Sequence, residues 1–321
     1  MTSTTMNLSS RLPRVLLALM LAAAAAAAPV MVRAQAPGAP SDLPDRVSAV
    51  LVRFPSYSGP DRDAAAASFL ALGEPGVLEA CRRLAPSGTD DDSLVRYALH
   101  GAAVYAARAG AEPERAAFAA ALLKALDAHP IGEAKAFLIS QIQWVAKDDA
   151  VPGLAAYLGD PGLADPASRA LVTIGGAKAE KALLAVLAGA PGAAPLPIIQ
   201  ALGTLRSRSA VPALLPIVRS ADPAVREAVL NALAEIGDPS ARAALESISL
   251  TLSGVDRIKA VERFLHFGER LIAAGDREGG RRIFRSVLAN YTAPAENQVR
   301  SAALDFLGRD LGEAVLGLGE G

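Results

Sequence analysis

The sequence predicts an all-α fold, a solenoid of stacked helical hairpins. Three observations carry this expectation. The chain is 52% hydrophobic but only 4% aromatic, so its apolar content is mostly alanine and leucine, which favour helices over strands. Within candidate helices the apolar residues fall three apart, as in Ile139, Ile142 and Val145, in Ile199, Leu202 and Leu205, and in Leu230, Leu233 and Ile236. The pattern then recurs, because Val145, Ile174, Leu205 and Ile236 follow one another at intervals of 29, 31 and 31 residues.

The first 34 of the 321 residues stand apart from this pattern. Arg11 and Arg14 precede an uncharged apolar run from Val15 to Val32, and the run ends with small residues at Val32 and Ala34. That is the layout of a secretory signal peptide, residues 1–34, cut after Ala34. An uncleaved anchor would need the same run to span a bilayer, but alanine inserts weakly and Pro29 interrupts it. The protein is therefore expected to be exported, periplasmic or secreted, with no membrane span after cleavage. Residues 35–42, rich in Pro, Ala and Gly, read as a disordered linker.

Residues 43–252 read as the main repeat array. A second series keeps register with the first: Ala150, Ala179, Ala210 and Ala241, then Leu154, Leu183, Leu214 and Leu245. Punctuation agrees with the period. Asp222 can cap the helix that Pro223 opens, Gly237 stops it, and Asp238 with Pro239 starts the next. The unit around Ile174 departs from the others, with Ser168 at an apolar position and Pro161 and Pro166 where a helix would begin, so its first helix should be short and start near Asp165. Asp90, Asp91 and Asp92, like Asp148 and Asp149, precede helices and read as caps.

The stretch "DPAVREAVLNALAEIGD", with Asp222, Val225, Arg226, Ala228, Ala232, Leu233 and Ile236, resembles the HEAT repeat, in particular the short bacterial HEAT-like units. Weaker echoes are "DSLVRYALHGAA" and "NQVRSAALDFLG", and Phe69 to Leu84 reads as an earlier unit. Residues 253–294 differ: Phe264, Phe267, Gly268, Leu271, Gly275, Gly280 and Phe284 resemble one tetratricopeptide hairpin, although Gly280 replaces the usual alanine. Residues 295–321 supply one further helix, Val299 to about Leu307, and then a glycine-rich tail in which no second helix is expected. The resemblance implies about six HEAT-like hairpins and a binding surface; it implies no activity.

Little in the sequence suggests chemistry. His100, His129 and His266 are far apart, and the His-Glu pairs of the iron-binding HEAT-like enzymes are missing, since Gly101, Pro130 and Phe267 follow them. Cys81 is the only cysteine, so no intramolecular disulfide can form, and its helical context reads as core. No catalytic residue, metal or cofactor is expected. Removing residues 1–34 takes away three arginines and no acid, which moves the net charge from −1 to about −4 and argues against nucleic acid as a partner.

What remains is surface. Lys147, Lys178, Arg206 and Arg208 fall in successive turns between helices and would form a basic stripe for an acidic protein partner. Trp144, the single tryptophan, occupies a position that the other units fill with Thr173, Thr204 and Glu235. It either packs against the preceding unit, Ala111 to Ile131, or stands exposed as a binding anchor, with Gln141 and Tyr157 nearby. The expected function is a non-enzymatic, exported protein-binding scaffold. The competing readings are an enzyme or enzyme subunit, lyase-like, with its site on the concave face, and a stabilising subunit of an envelope complex.

Overall fold

The computed structural model describes residues 42–189 and 196–317, with side chains to residue 310. The signal peptide, the cleavage point after Ala34 and the linker up to Ser41 lie outside the described residues. In chain order the helices are α1 (Leu43–Leu51), α2 (Gly59–Leu70), α3 (Gly73–Arg82), α4 (Ser93–Ala106), α5 (Glu112–Ala128), α6 (Gly132–Val145), α7 (Val151–Ala155) and α8 (Ala164–Ile174). They continue as α9 (Gly176–Gly189), α10 (Leu196–Thr204), α11 (Val211–Leu214), α12 (Pro223–Ile236), α13 (Arg242–Thr251), α14 (Gly254–Ala273), α15 (Arg277–Asn290) and α16 (Asn297–Gly317). No strand occurs among the described residues.

The even-numbered helices form one unbroken row, each packed on the next from α2 to α16. The odd-numbered helices form a second row behind it; α1, α3 and α5 pack in sequence, and α9 packs on α7. Seven hairpins result, from α2/α3 to α14/α15, with α1 and α16 as single helices at either end. Buried residues from Val47 to Ala303 make one continuous cluster, as stacking requires.

The register read from the sequence holds where it faces the interior. Ala150, Ala179, Ala210 and Ala241 are at most 1% exposed, and Leu154, Leu183, Leu214 and Leu245 are 0% exposed. In the first series Val145 and Ile236 are buried, whereas Ile174 and Leu205 are half-buried. Asp222 accepts from Ala224 N–H at 2.8 Å, and Gly237 ends α12 in the left-handed region at φ 65°. The first helix of the fourth hairpin, α8, begins at Ala164 and is short, as the two prolines dictate.

Two expectations are corrected. Asp92 precedes α4 but does not cap it; its carboxylate accepts from Ala85 N–H and from Arg96, and Asp91 accepts from Ser93 N–H instead. The terminal helix does not stop near Leu307. It runs to Gly317, because tertiary contacts offset the helix-breaking cost of Gly308: Phe306 stacks on Phe284 at 4.2 Å, and buried Asp310 accepts from Arg281 at 2.6 Å. Residues 318–321 lie outside the described residues.

Two glycines are required by close approach. A Cβ on Gly203 would lie 2.8 Å from Ala232 Cα, so α10 and α12 touch backbone to backbone there. A Cβ on Gly280 would lie 2.6 Å from Gly268 O, which explains why alanine is missing at that point of the α14/α15 hairpin.

Polar contacts between neighbouring units reinforce the row. Gln143 donates to Thr173, Arg226 pairs with Asp256 and Lys259 with Glu227, and His266 bridges Glu235 and Glu269. The α13–α14 turn is tied to the start of α16 by Arg257, which donates to Glu296 at 2.6 Å; that carboxylate also accepts from Ala293 N–H.

Leu233 is fully buried. Leu233→Ala should cost about 2–5 kcal/mol and lower the midpoint of thermal unfolding followed by circular dichroism; an unchanged midpoint would contradict a shared core. The hydrogen bond from Arg257 holds the Glu296 carboxyl below its ordinary value of 4.5, against a smaller opposing effect of burial. A depressed carboxyl stabilises the fold above its unfolded value and loses that contribution as pH falls through the native value. Glu296→Gln should therefore have a lower denaturant midpoint than the parent at pH 7, and the gap should narrow progressively as the pH falls below 4.5.

Candidate binding surface

Trp144 lies near the C-terminal end of α6, on the outer face of the first row, and is 55% exposed. Its ring meets His100 of α4 edge-on, with centroids 5.8 Å apart and planes at 76°. With more than half of its surface exposed it is not buried against the preceding unit, and the aromatic neighbour of its ring is on α4. Tyr97 and Val104, on the same α4 face as His100, are 51% and 43% exposed. Sequence reasoning passed over these residues, although Tyr97, His100 and Val104 fall at helical spacing on one face.

Gln141 is not available to a partner. It is 4% exposed, its Oε1 accepts from His100 Nδ1 at 3.0 Å, and its Nε2 donates to Ser140 Oγ at 2.8 Å. Its effect is indirect: it orients the imidazole against which Trp144 rests. Tyr157 is half-buried on the second row, where its hydroxyl donates to Leu126 O at 3.3 Å and Lys135 lies over its ring. Of the two alternatives that the sequence left open for Trp144, the structure has the exposed one, and the three aromatic and amide residues do not form one patch.

The four cations in the turns are all exposed. They are interleaved with acids, however. Lys178 is 3.7 Å from Asp148 of the preceding turn, and the carboxyl of Asp238 is held below its ordinary value chiefly by hydrogen bonds from Ser240, with Arg208 adding to the effect. Lys147 and Arg206 have no ion pair among the described residues. Arg206 is also unusual in its backbone. Gly175, Arg206 and Gly237 occupy the same place in successive units, with φ of 67°, 54° and 65°. At Arg206 the chain closes with Ser207 N–H donating to Leu202 O at 3.0 Å and Arg206 N–H to Gly203 O at 2.9 Å. A non-glycine residue in this left-handed cap is strained by about 1 kcal/mol.

A separate cleft of about 520 Å³ lies between α3 and α5, lined by Leu78, Cys81, Lys124, His129 and Ile131 among others. Its two potentially reactive groups are engaged. His129 Nδ1 accepts from Ile131 N–H, so the proton sits on Nε2, which donates to Cys81 O at 3.2 Å. Burial pushes the Cys81 thiol up to about 12, which leaves it without thiolate character. Among the described residues no group of three His, Cys, Asp or Glu side chains is placed to hold a metal, and no helix is long and apolar enough to cross a membrane.

Comparison with known proteins agrees with the architecture. Residues 180–263 match the family model described as HEAT repeats. The crystal structure of Kap121p is similar at 12% identity, with a TM-score of 0.52 over 79% of this chain and 29% of that one. This chain thus spans less than a third of Kap121p, and the likeness is one of fold alone. Two designed proteins, one from a study of self-assembling cyclic homo-oligomers, are 16% identical over 81% and 87% of this chain and 95% and 94% of theirs. Their TM-scores of 0.24 and 0.15 are too low to bear on the fold. Among the curated proteins none matches this chain.

The exposure of Trp144 leads to a direct check. Its emission maximum should lie close to that of solvent-exposed tryptophan, and iodide should quench it; a strongly blue-shifted, unquenched emission would place the ring in a packed interior. The recurring buried registers and the similarity to Kap121p show an α-solenoid of stacked helical hairpins, and the matched segment places HEAT-like repeats within it over residues 180–263.

Proposed function

We propose that this protein is an exported, non-enzymatic scaffold that binds a protein partner across the outer face of its first helix row. The observation that carries this reading is the exposed Trp144, set against His100 and flanked by Tyr97 and Val104. A tryptophan costs little conformational entropy to immobilise and buries a large area, so aromatic residues of this kind dominate interface energies. Elsewhere in the row the corresponding positions are Thr173, Thr204 and Glu235, which water solvates well. A cluster of exposed aromatic and apolar side chains at positions that other units fill with polar residues is what a contact site adds to a repeat array.

The turn cations form the rim of the same surface. Arg206 supports a role in binding because a glycine would relieve its backbone, as it does at Gly175 and Gly237. Lys147, Lys178 and Arg208 extend the cationic edge on either side, and acidic groups of a partner are their natural complement. Export rests on residues 1–34, with Gln35 as the first residue of the mature chain.

Trp144→Ala should weaken capture of the native partner from envelope extract by tenfold or more, with no change in melting temperature. Arg206→Gly removes the charge and relieves the strain together, so it should weaken capture while holding or raising stability. Equal retention of the partner by both variants and the parent would refute the reading. Mass spectrometry of the exported protein should find Gln35 at its N-terminus.

A further inference from the structure

Three adjoining cavities of about 310, 370 and 260 Å³ lie along the first row between α6 and α14. Gln200 lines the first and second, while Glu227 and Arg263 line the second and third. Together they make one groove crossing five successive helices. Its first wall residue is Gln143 on the α8 side of α6, and Trp144, next in sequence, stands across the same helix on the side that meets α4.

Arg169, Gln200 and Asn231 occupy the same position in successive units, 31 residues apart. Among the described residues the side-chain amides of Gln200 and Asn231 have no hydrogen-bond partner within the protein. An amide side chain offers both a donor and an acceptor, as a peptide group does. Ser168, 2% exposed, lies in the same wall with its hydroxyl unpartnered.

Charge closes the far end. The last cavity is lined by Arg226, Lys259 and Arg263 against Glu227 and Asp256. Arg226 pairs with Asp256 and Lys259 with Glu227, each at 2.9 Å, which leaves Arg263 over. Arg263, half-buried as a residue, has no ion pair among the described residues, and its buried Nε has no hydrogen-bond acceptor.

We infer that this groove holds an extended peptide segment of the partner, with an apolar side chain against Trp144, its backbone on Gln200 and Asn231, and a carboxylate on Arg263. The inference rests on the reading that this face binds a protein. Packed helices lie about 8–10 Å apart, so the path from α6 to α14 measures roughly 32–40 Å. An extended chain covers that distance in about ten to twelve residues. Amides suit such an occupant because they bond main-chain groups whatever the sequence, and the two ends then supply selectivity.

The test is selection of random dodecapeptides displayed on phage against the full chain, followed by fluorescence polarisation with the enriched peptides. Enriched sequences should share an aromatic or large aliphatic residue and, about ten residues away, an acid. Gln200→Ala combined with Asn231→Ala should weaken binding about tenfold, and Arg263→Glu by at least as much. A peptide with lysine in place of the acid should recover binding to Arg263→Glu, which a misfolded variant could not do. Peptides that bind but depend only on Trp144 would overturn the groove assignment and leave the scaffold reading standing. If no peptide is enriched, the groove assignment also falls; the scaffold reading falls with it only if Trp144→Ala leaves capture of the native partner unchanged.

Discussion

The constraint on which the molecule depends is that no hairpin can close its own apolar face. Leu233 and Leu245 belong to one hairpin, yet both are fully buried only because the units before and after supply the remaining walls. Burying such side chains against neighbours makes each unit's stability conditional on the next, so the core becomes a line. This fixes where variation is allowed. Interior positions repeat because they must mesh, whereas each helix of the first row keeps an outward face that plays no part in stacking.

That division explains what could be read from the sequence. The series Ala150, Ala179, Ala210, Ala241 and its leucine counterpart were legible because burial imposes a period, and all eight are buried. The caps at Asp222 and Gly237 were legible because backbone geometry imposes a residue type. Asp92 was not, since a carboxylate before a helix can turn to a nearby arginine instead, and Arg96 was within reach. The terminal helix was underestimated for a related reason: intrinsic preference stops it at Gly308, but Phe284 and Arg281 lie outside the local window and hold it in place.

The candidate binding surface was legible only in part. Trp144 stood out because repetition predicts a polar residue in its place, so the deviation itself was the signal. Gln141 deviated in the same way, from alanine, but the cause was a buried hydrogen bond to His100 on a different helix, which no spacing rule reveals. Deviation from a repeat therefore marks a position whose environment differs from that of its equivalents; it does not say whether the difference lies inside or outside. The groove was missed altogether, because Gln200 and Asn231 are ordinary surface residues until the row places them in line.

The same reasoning separates Arg206 from the other turn cations. Lys147, Lys178 and Arg208 sit where any polar residue would do, and acids such as Asp148 and Asp238 lie close to two of them. Their positions carry almost no information about function, because a solvated turn tolerates either charge. Arg206 lies where glycine is favoured and no ion pair compensates for the backbone it must adopt. Strain retained there has no counterpart at the equivalent glycines, and stacking alone does not account for it. Arg263 meets a parallel condition at the other end of the row, as a cation left over after its neighbours have paired. The two unmatched arginines and the exposed tryptophan are features that stacking alone does not require, and all three lie on the first helix row or its turns.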